Sequence, residues 1–248
     1  MKKSHAAGWA SDSPTPAQLK EFFAQIEAGR ITRGRLQKFL RERGMNCEDI
    51  AAEILGKNFI NAAEIETAFG MKYTAEQLAI LAATMPPEKV LREMAANEYM
   101  LVAGPPQAMS MLDVRAKKPE LFYSKADDGW YCKQEQTFAR DDKVGEGWLA
   151  LRKKVVPNST DKTWGEQQKL LSAEERVPNA AEVAWGVIAY KAVRDEFLLP
   201  TMYARTSSVS ALGVHVLIGY FDAAGLHVYY YWYDDRDDGL GLAGARKF

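Results

Sequence analysis

The hydrophobic rhythm of the chain changes once, near Asn97. Before it, apolar residues recur at the three- and four-residue spacings of amphipathic helices; after it they come in short runs and alternations. Thr15 and Gln18, with Pro16 between them, form a capping box with proline at the first helical position. Leu19, Phe22, Phe23 and Ile26 then share one face, and Gly29 closes the helix. A second helix is expected over 32–43, with Leu36, Phe39 and Leu40 as its stripe and Gly44 as its stop. Shorter helices are expected over 48–55, 62–69, 75–83 and 88–96, the last two separated by Met85-Pro86-Pro87.

Beyond Asn97, a strand beginning at Tyr99 ends at Pro105-Pro106, a helix is expected over 109–116, and Pro119 marks a turn. Residues 148–156 alternate like a half-buried strand. Helices follow over 164–171 and 179–196, the latter capped by Asn179 with Val183, Val187, Ile188 and Val193 toward a core. Four strands close the chain, over 203–208, 214–221, 226–232 and 240–248. Helices first and strands last is an α+β order. The pattern divides the chain into a small all-helical module, residues 1–97 with 1–13 expected to be disordered, and a second domain, residues 98–248.

The most telling stretch lies in the last quarter. Tyr229, Tyr230, Tyr231, Trp232 and Tyr233 run directly into Asp234, Asp235, Asp237 and Asp238, then into Gly239-Leu240-Gly241-Leu242. A buried strand cannot desolvate unpaired aspartates, and a disordered tail would expose a row of aromatics. Tyrosine, aspartate and glycine concentrated on one platform is the composition of a binding face. Between Tyr203 and Arg246 there is also no Lys, Glu, Gln or Met. Apart from Trp232, every residue type there can be encoded by a codon ending in C. Randomising the adenines of AAC codons gives that set.

This ending resembles the C-terminal variable region of diversity-generating retroelement target proteins, with Arg236 in the loop, Leu240, Gly241 and Leu242 in the strand, then Arg246. Residues 177–194 resemble the characteristic helix of the formylglycine-generating-enzyme branch of the same fold, and 121–131 and 148–167 resemble uncharacterised proteins of candidate-phylum bacteria. The resemblance covers residues 99–248 and departs in ending Gly-Leu-Ala-Gly-Ala-Arg. It implies a C-type lectin-like C-terminal domain and a hypervariable surface that binds a protein or other surface ligand. The implied contact residues are His215, Leu217 and Tyr220 at the edge. At the centre are His227, Tyr229, Tyr230, Tyr231, Tyr233, Asp234, Asp235, Asp237, Asp238 and Gly239. Trp232, Arg236, Gly241 and Arg246 are implied as scaffold, Trp232 as a fixed core aromatic. The terminal strand is expected beside a strand from near the start of that domain.

The remaining composition narrows the alternatives. At 248 residues, with 47% hydrophobic and 26% charged content, the chain reads as soluble and globular, large enough for one large or two ordinary cores. A net charge of −1 disfavours a dedicated nucleic-acid binder. Cys47 and Cys132 stand far apart and suggest neither a disulfide nor a zinc site. The run from Asp234 departs from a calcium loop, with Arg236 third and Ala245 twelfth. Trp232-Tyr233-Asp234 is similar to a lectin calcium motif but lacks its companion tripeptide. No metal or cofactor is expected. His5, His215 and His227 have no evident nucleophile beside them, and no cysteine follows Cys132, so no enzymatic activity is expected. The N-terminus lacks the apolar core of a signal peptide and no run would span a bilayer, which points to the cytoplasm. The alternative from another class is a nucleic-acid-binding or regulatory protein acting through Arg33, Arg35, Lys38, Arg41 and Arg43 on the basic helix. Nearby Glu21, Glu27, Glu42 and Glu48 weigh against it.

Overall fold

A computed structural model describes residues 15–32, 34–36, 46–123, 129–232 and 234–248. The chain divides into two compact units, Met1–Asn46 and Cys47–Phe248. In the first, helix α1 (Pro16–Glu27) starts as its sequence dictates: the Thr15 hydroxyl accepts from the Gln18 N–H, and the Gln18 side chain accepts from the Thr15 N–H. None of its residues is buried. Of the helix expected over 32–43, Thr32 is not helical and residues 34–36 are; the rest, Arg33 and residues 37–43 with Lys38, Arg41 and Arg43, lies outside the described residues.

The second unit begins with α2 (Cys47–Leu55), β1 (Phe59–Ile60), α3 (Ala62–Phe69), α4 (Ala75–Ala83), α5 (Glu88–Ala96) and β2 (Tyr99–Ala103). It continues through β3 (Met109–Ser110), α6 (Met111–Lys117), α7 (Phe138–Asp141), β4 (Lys143–Val144), β5 (Trp148–Arg152), α8 (Trp164–Gln168) and β6 (Glu175–Arg176). Helix α9 (Ala180–Arg194) and strands β7 (Tyr203–Val209), β8 (His215–Asp222), β9 (Gly225–Tyr231), β10 (Leu240–Leu242) and β11 (Ala245–Arg246) complete it. The strands form a five-stranded sheet, β1-β2-β5-β11-β6, a four-stranded sheet, β10-β7-β8-β9, and the small pair β3-β4. The architecture is α+β.

The boundary expected at residues 97/98 falls inside this unit. Strand β1 pairs in parallel with β2, Phe59 opposite Leu101 and Ile60 opposite Val102. Leu55, Leu91 and Met94 from α2 and α5 pack on Tyr99, Leu101 and Ala150. The apolar stripes of these helices close only against the sheet, so helices and sheet share one core. The opposite face of the same strands carries Met100, Val102, Leu149 and Leu151 into the main core beside α9. A sheet covered on both faces explains why all of Tyr99–Ala103 is buried.

Helix α9 was expected to bury one side. Instead Ala180, Ala181 and all of Val183 to Tyr190 are buried, with Glu182 half-buried among them. A helix apolar all round lies between layers, and α9 contacts both large sheets. Trp185 donates from Nε1 to the Ala103 carbonyl at 3.0 Å and lies against Phe69, ring centroids 4.7 Å apart. The next residue is Gly186 because a Cβ there would sit 2.7 Å from Leu151 Cδ2 and 2.8 Å from Met100 Cε. The expected helix over 109–116 starts later, at Met111, since Met109 and Ser110 pair with β4 and Ser110 caps the helix.

The last segment also differs from expectation. Rather than one strand over 240–248, it is two strands in two sheets. Leu240–Leu242 runs parallel to β7, and after Ala243 and Gly244 the chain enters the five-stranded sheet, where Ala245–Arg246 pairs with β5 and β6. Because β5 pairs with β2, the terminal strand lies one place from the strand at residue 99, not beside it.

Candidate functional site

Register decides which side chains share a face of the four-stranded sheet. Strand β8 runs antiparallel to β9 with Leu217 opposite Tyr229 and Gly219 opposite His227. Tyr203 on β7 stands opposite Gly219 on β8, and Leu240 on β10 opposite Tyr203. One face therefore carries Leu240, Tyr203, Leu217, His227, Tyr229 and Tyr231. The intervening Ala204, Val216, Ile218 and Val228 are buried in the main core.

Tyr220 reaches the first face by a break in the pleat. From Leu217 to Gly219 the β7–β8 and β8–β9 registers both hold, and the β8–β9 register shifts between Gly219 and Asp222. Tyr220 has φ of +43°, a conformation disfavoured for a residue with a Cβ. The bulge turns Tyr220 outward, 39% exposed, and returns Phe221 to the core. Gly219 permits it: a Cβ there would fall 2.0 Å from the Met202 carbonyl oxygen. Backbone strain of this kind concentrates at functional positions.

Together Tyr203, Leu217, Tyr220, His227, Tyr229, Tyr231, Asp237 and Leu240 line a concavity of about 240 Å³. The Tyr203 ring lies 4.6 Å from that of Tyr220 and 6.0 Å from that of Tyr229, the second pair near parallel. Burial, and then the neighbouring Tyr220 and Tyr229 hydroxyls, push the Tyr203 phenol up to about 12, so it is a neutral donor at physiological pH. The hydroxyls of the buried Tyr73 and Tyr99 are satisfied by Gly104 O and Glu175. Those of Tyr203, Tyr220, Tyr229 and Tyr231 make no hydrogen bond among the described residues, which leaves them for solvent or a ligand. His227 stacks on Tyr123 at 4.1 Å.

The loop after β9 forms the rim. Its shape is held from below by Arg205, which is wholly buried. One guanidinium nitrogen donates to the Trp232 and Asp235 carbonyls, both at 3.0 Å, and the other to Gln167 Oε1 at 3.0 Å and the Lys162 carbonyl at 3.3 Å. Burial lowers the Arg205 pKa and the Asp235 carboxylate opposes the shift; the group stays charged. The Asp161 N–H donates to the Asp237 carbonyl at 3.0 Å, and Asp237 Oδ1 accepts from Gly239 N at 2.8 Å in a tight turn. Arg236 reaches outward to Glu166 at 2.9 Å. That contact and the Thr163 backbone hydrogen bond, the larger cause, hold the Glu166 carboxyl down to about 2.

Of the residues singled out from sequence, Leu217, Tyr220, His227, Tyr229, Tyr231 and Asp237 line the concavity; others do not. Leu217, expected at the edge, is 1% exposed and forms the floor. His215 shares the face but lies half-buried under Trp164, ring centroids 3.7 Å apart, with Nδ1 3.1 Å from the Thr206 carbonyl. Tyr230 lies against Trp130, 4.7 Å away, and its ring stacks on that of Tyr229 at 5.5 Å, but it does not line the concavity. Asp234, Asp235, Asp238 and Gly239 belong to the rim, and Tyr233 lies outside the described residues. Trp232, expected in the core, is 55% exposed: β9 ends at Tyr231, so Trp232 leaves the pleat and only its carbonyl is anchored. Gly241 and Arg246 do sit within packed structure, a Cβ on the first falling 2.5 Å from Val155 and the second pairing with Glu93. Sequence reading missed Tyr203, Leu240 and Arg205. Alternation placed Tyr203 and Arg205 on one side of their strand, but which strand they faced depended on pairing that no local signal carries.

Among the described residues, no group of three or more His, Cys, Asp or Glu is arranged to hold a metal ion, and no helix is long and apolar enough to cross a membrane. No family model, curated protein or solved structure matches this chain.

Proposed function

We propose that this is a non-enzymatic ligand-binding protein. The unit Cys47–Phe248 carries a C-type lectin-like fold over residues 98–248, and its concave aromatic face is a hypervariable surface diversified by a retroelement. The observation that carries the reading is the cluster of Tyr203, Tyr220, Tyr229 and Tyr231 around one concavity, their hydroxyls without partners among the described residues. A core would have satisfied those hydroxyls or excluded them. Tyr229 is 48% exposed, and Trp232, three residues further along the chain, is 55% exposed. The lining offers phenols, an imidazole and a carboxylate over two leucines: contact area with hydrogen-bonding tips, as binding faces use. The return of the terminal strand into the sheet that holds β2 supports the lectin-like reading, and the intervening β5 departs from the direct pairing it implies.

The test is a displayed library with Tyr220, His227, Tyr229, Tyr231 and Asp237 randomised together. Most clones are expected to stay protease-resistant, because these side chains do not hold the core. If folded clones keep aromatic residues at all four aromatic positions, the face is structural and the reading fails. The retroelement part has its own check in the flanking DNA, where a near-copy of the last coding segment with adenines at the variable codons is expected beside a reverse transcriptase gene. Its absence removes that part alone.

A further inference from the structure

Size, lining and rim of the concavity favour one kind of occupant. We propose that it receives a lysine or arginine side chain presented by a protein partner; this rests on the binding-face reading and names the partner's chemistry. The rings of Tyr203, Tyr220 and Tyr229 form one continuous wall, with neighbouring centroids at 4.6 and 6.0 Å. The negative face of an aromatic ring attracts a cation within about 6 Å. Leu217 and Leu240 offer the apolar floor that the methylene stem of such a side chain covers.

The charge at the mouth has the complementary sign. Asp237 lines the concavity, and while its Oδ1 is fixed by the Gly239 N–H, its Oδ2 has no hydrogen-bond partner among the described residues. Asp234, Asp235 and Asp238 stand in the same loop. The loop's own cation, Arg236, is engaged by Glu166 at 2.9 Å and by the Asp161 carbonyl at 3.2 Å. Arg205 beneath is buried and turned to carbonyls. With Arg236 set against Glu166, the loop's four aspartates outnumber the one buried guanidinium beneath it, and the charge around the mouth is net negative. The volume of about 240 Å³ is below the roughly 300–1,000 Å³ of pockets that enclose a whole small molecule. One side chain fits, and the rest of the partner would lie on the exposed rim around Trp232.

The experiment is a random peptide library panned on the full chain, with counter-selection on a chain carrying Tyr229→Ala and Asp237→Asn. Asparagine keeps the acceptor for the Gly239 N–H, so the loop turn is retained. The expected result is enrichment of Lys or Arg at one peptide position. A synthesised winner should bind about tenfold more weakly to the Asp237→Asn single variant, as for loss of a hydrogen bond to a charged group. Replacing its basic residue by citrulline should abolish binding. Winners that depend on Tyr229 but carry no basic residue would overturn the proposed cation while leaving the binding face intact. A panning in which no peptide depends on Tyr229 or Asp237 would overturn both.

Discussion

In the five-stranded sheet, Met100 and Val102 face α9 while Tyr99 and Leu101 face α2 and α5, so both sides of β2 are sealed. In the four-stranded sheet, Val216, Ile218 and Val228 face the core, but Tyr220 and Tyr229 on the other side remain exposed. Both sheets carry tyrosines. What separates them is the fate of the hydroxyl: Tyr99 is bonded to Glu175, with Arg152 stacked over its ring, whereas the tyrosines of the concavity have no such partner among the described residues. Aromatic content alone therefore does not mark a binding face. An aromatic whose polar tip is left unspent does.

Side chains on the sealed side are expected to be indispensable to the fold. Trp185→Ala removes a fully buried indole together with its hydrogen bond to Ala103, and is expected to cost about 3–5 kcal/mol in denaturant unfolding. A loss of only a few tenths would mean that α9 does not hold the layers together. Gly219→Ala probes the junction between the two regimes. Its new methyl would meet the Met202 carbonyl at 2.0 Å, so overpacking should cost about 2–3 kcal/mol. The same change should displace Tyr220 and weaken any ligand of the concavity. Unchanged melting would show that the close approach at the bulge is dispensable.

Much of the fold was legible where the signal is local. Asn61 with Glu64, and Thr74 with Gln77, start their helices with reciprocal caps, and those two helices run over the expected residues. The outline of β7, β8 and β9 followed from alternation. What stayed hidden is what depends on distant pairing. Whether 47–96 belonged to the sheet turned on β1 pairing with β2, and the split of the last segment turned on β10 and β11 finding different sheets. Within the candidate site, the tyrosine–aspartate composition pointed to a strand and loop that line the concavity. It could not separate Tyr229 from Tyr230, since register decides the face, nor foresee that a positive φ would turn Tyr220 outward. Trp232 was misjudged because being outside a randomisable set says nothing about burial.

A smaller effect sharpens the contrast at the end of the sheet. His215 lies on the outer face yet is covered by Trp164, and burial, opposed by its hydrogen bonds to the Thr206 and Ser208 backbone, lowers its pKa below 6.5, with nearby Arg205 adding to the shift. The folded state thus resists a proton that the unfolded chain accepts. Stability from this group is complete above pH 6.5 and is lost as pH falls from there toward the lowered folded value. In melts between pH 7.5 and 5, the protein should lose more melting temperature than His215→Asn does; equal slopes would place the imidazole in solvent.

The smallest expected effects test the open face itself. Tyr229 and Trp232 are 48% and 55% exposed, and neither side chain makes a hydrogen bond among the described residues. Each should therefore tolerate alanine with a stability change within about 0.5 kcal/mol, as at ordinary surface positions. The Tyr229 ring does lie 6.0 Å from that of Tyr203, so its loss is the better probe of whether the aromatic wall supports itself. Trp232 is held through its carbonyl by Arg205, an interaction that alanine preserves. Thermal melts of the two variants beside Trp185→Ala need no ligand and separate the regions directly. If Trp232→Ala falls with Trp185→Ala, its indole is packed as a core residue after all. If Tyr229→Ala does so, the tyrosines hold the sheet, and the division between a sealed side and an open one no longer identifies a binding face.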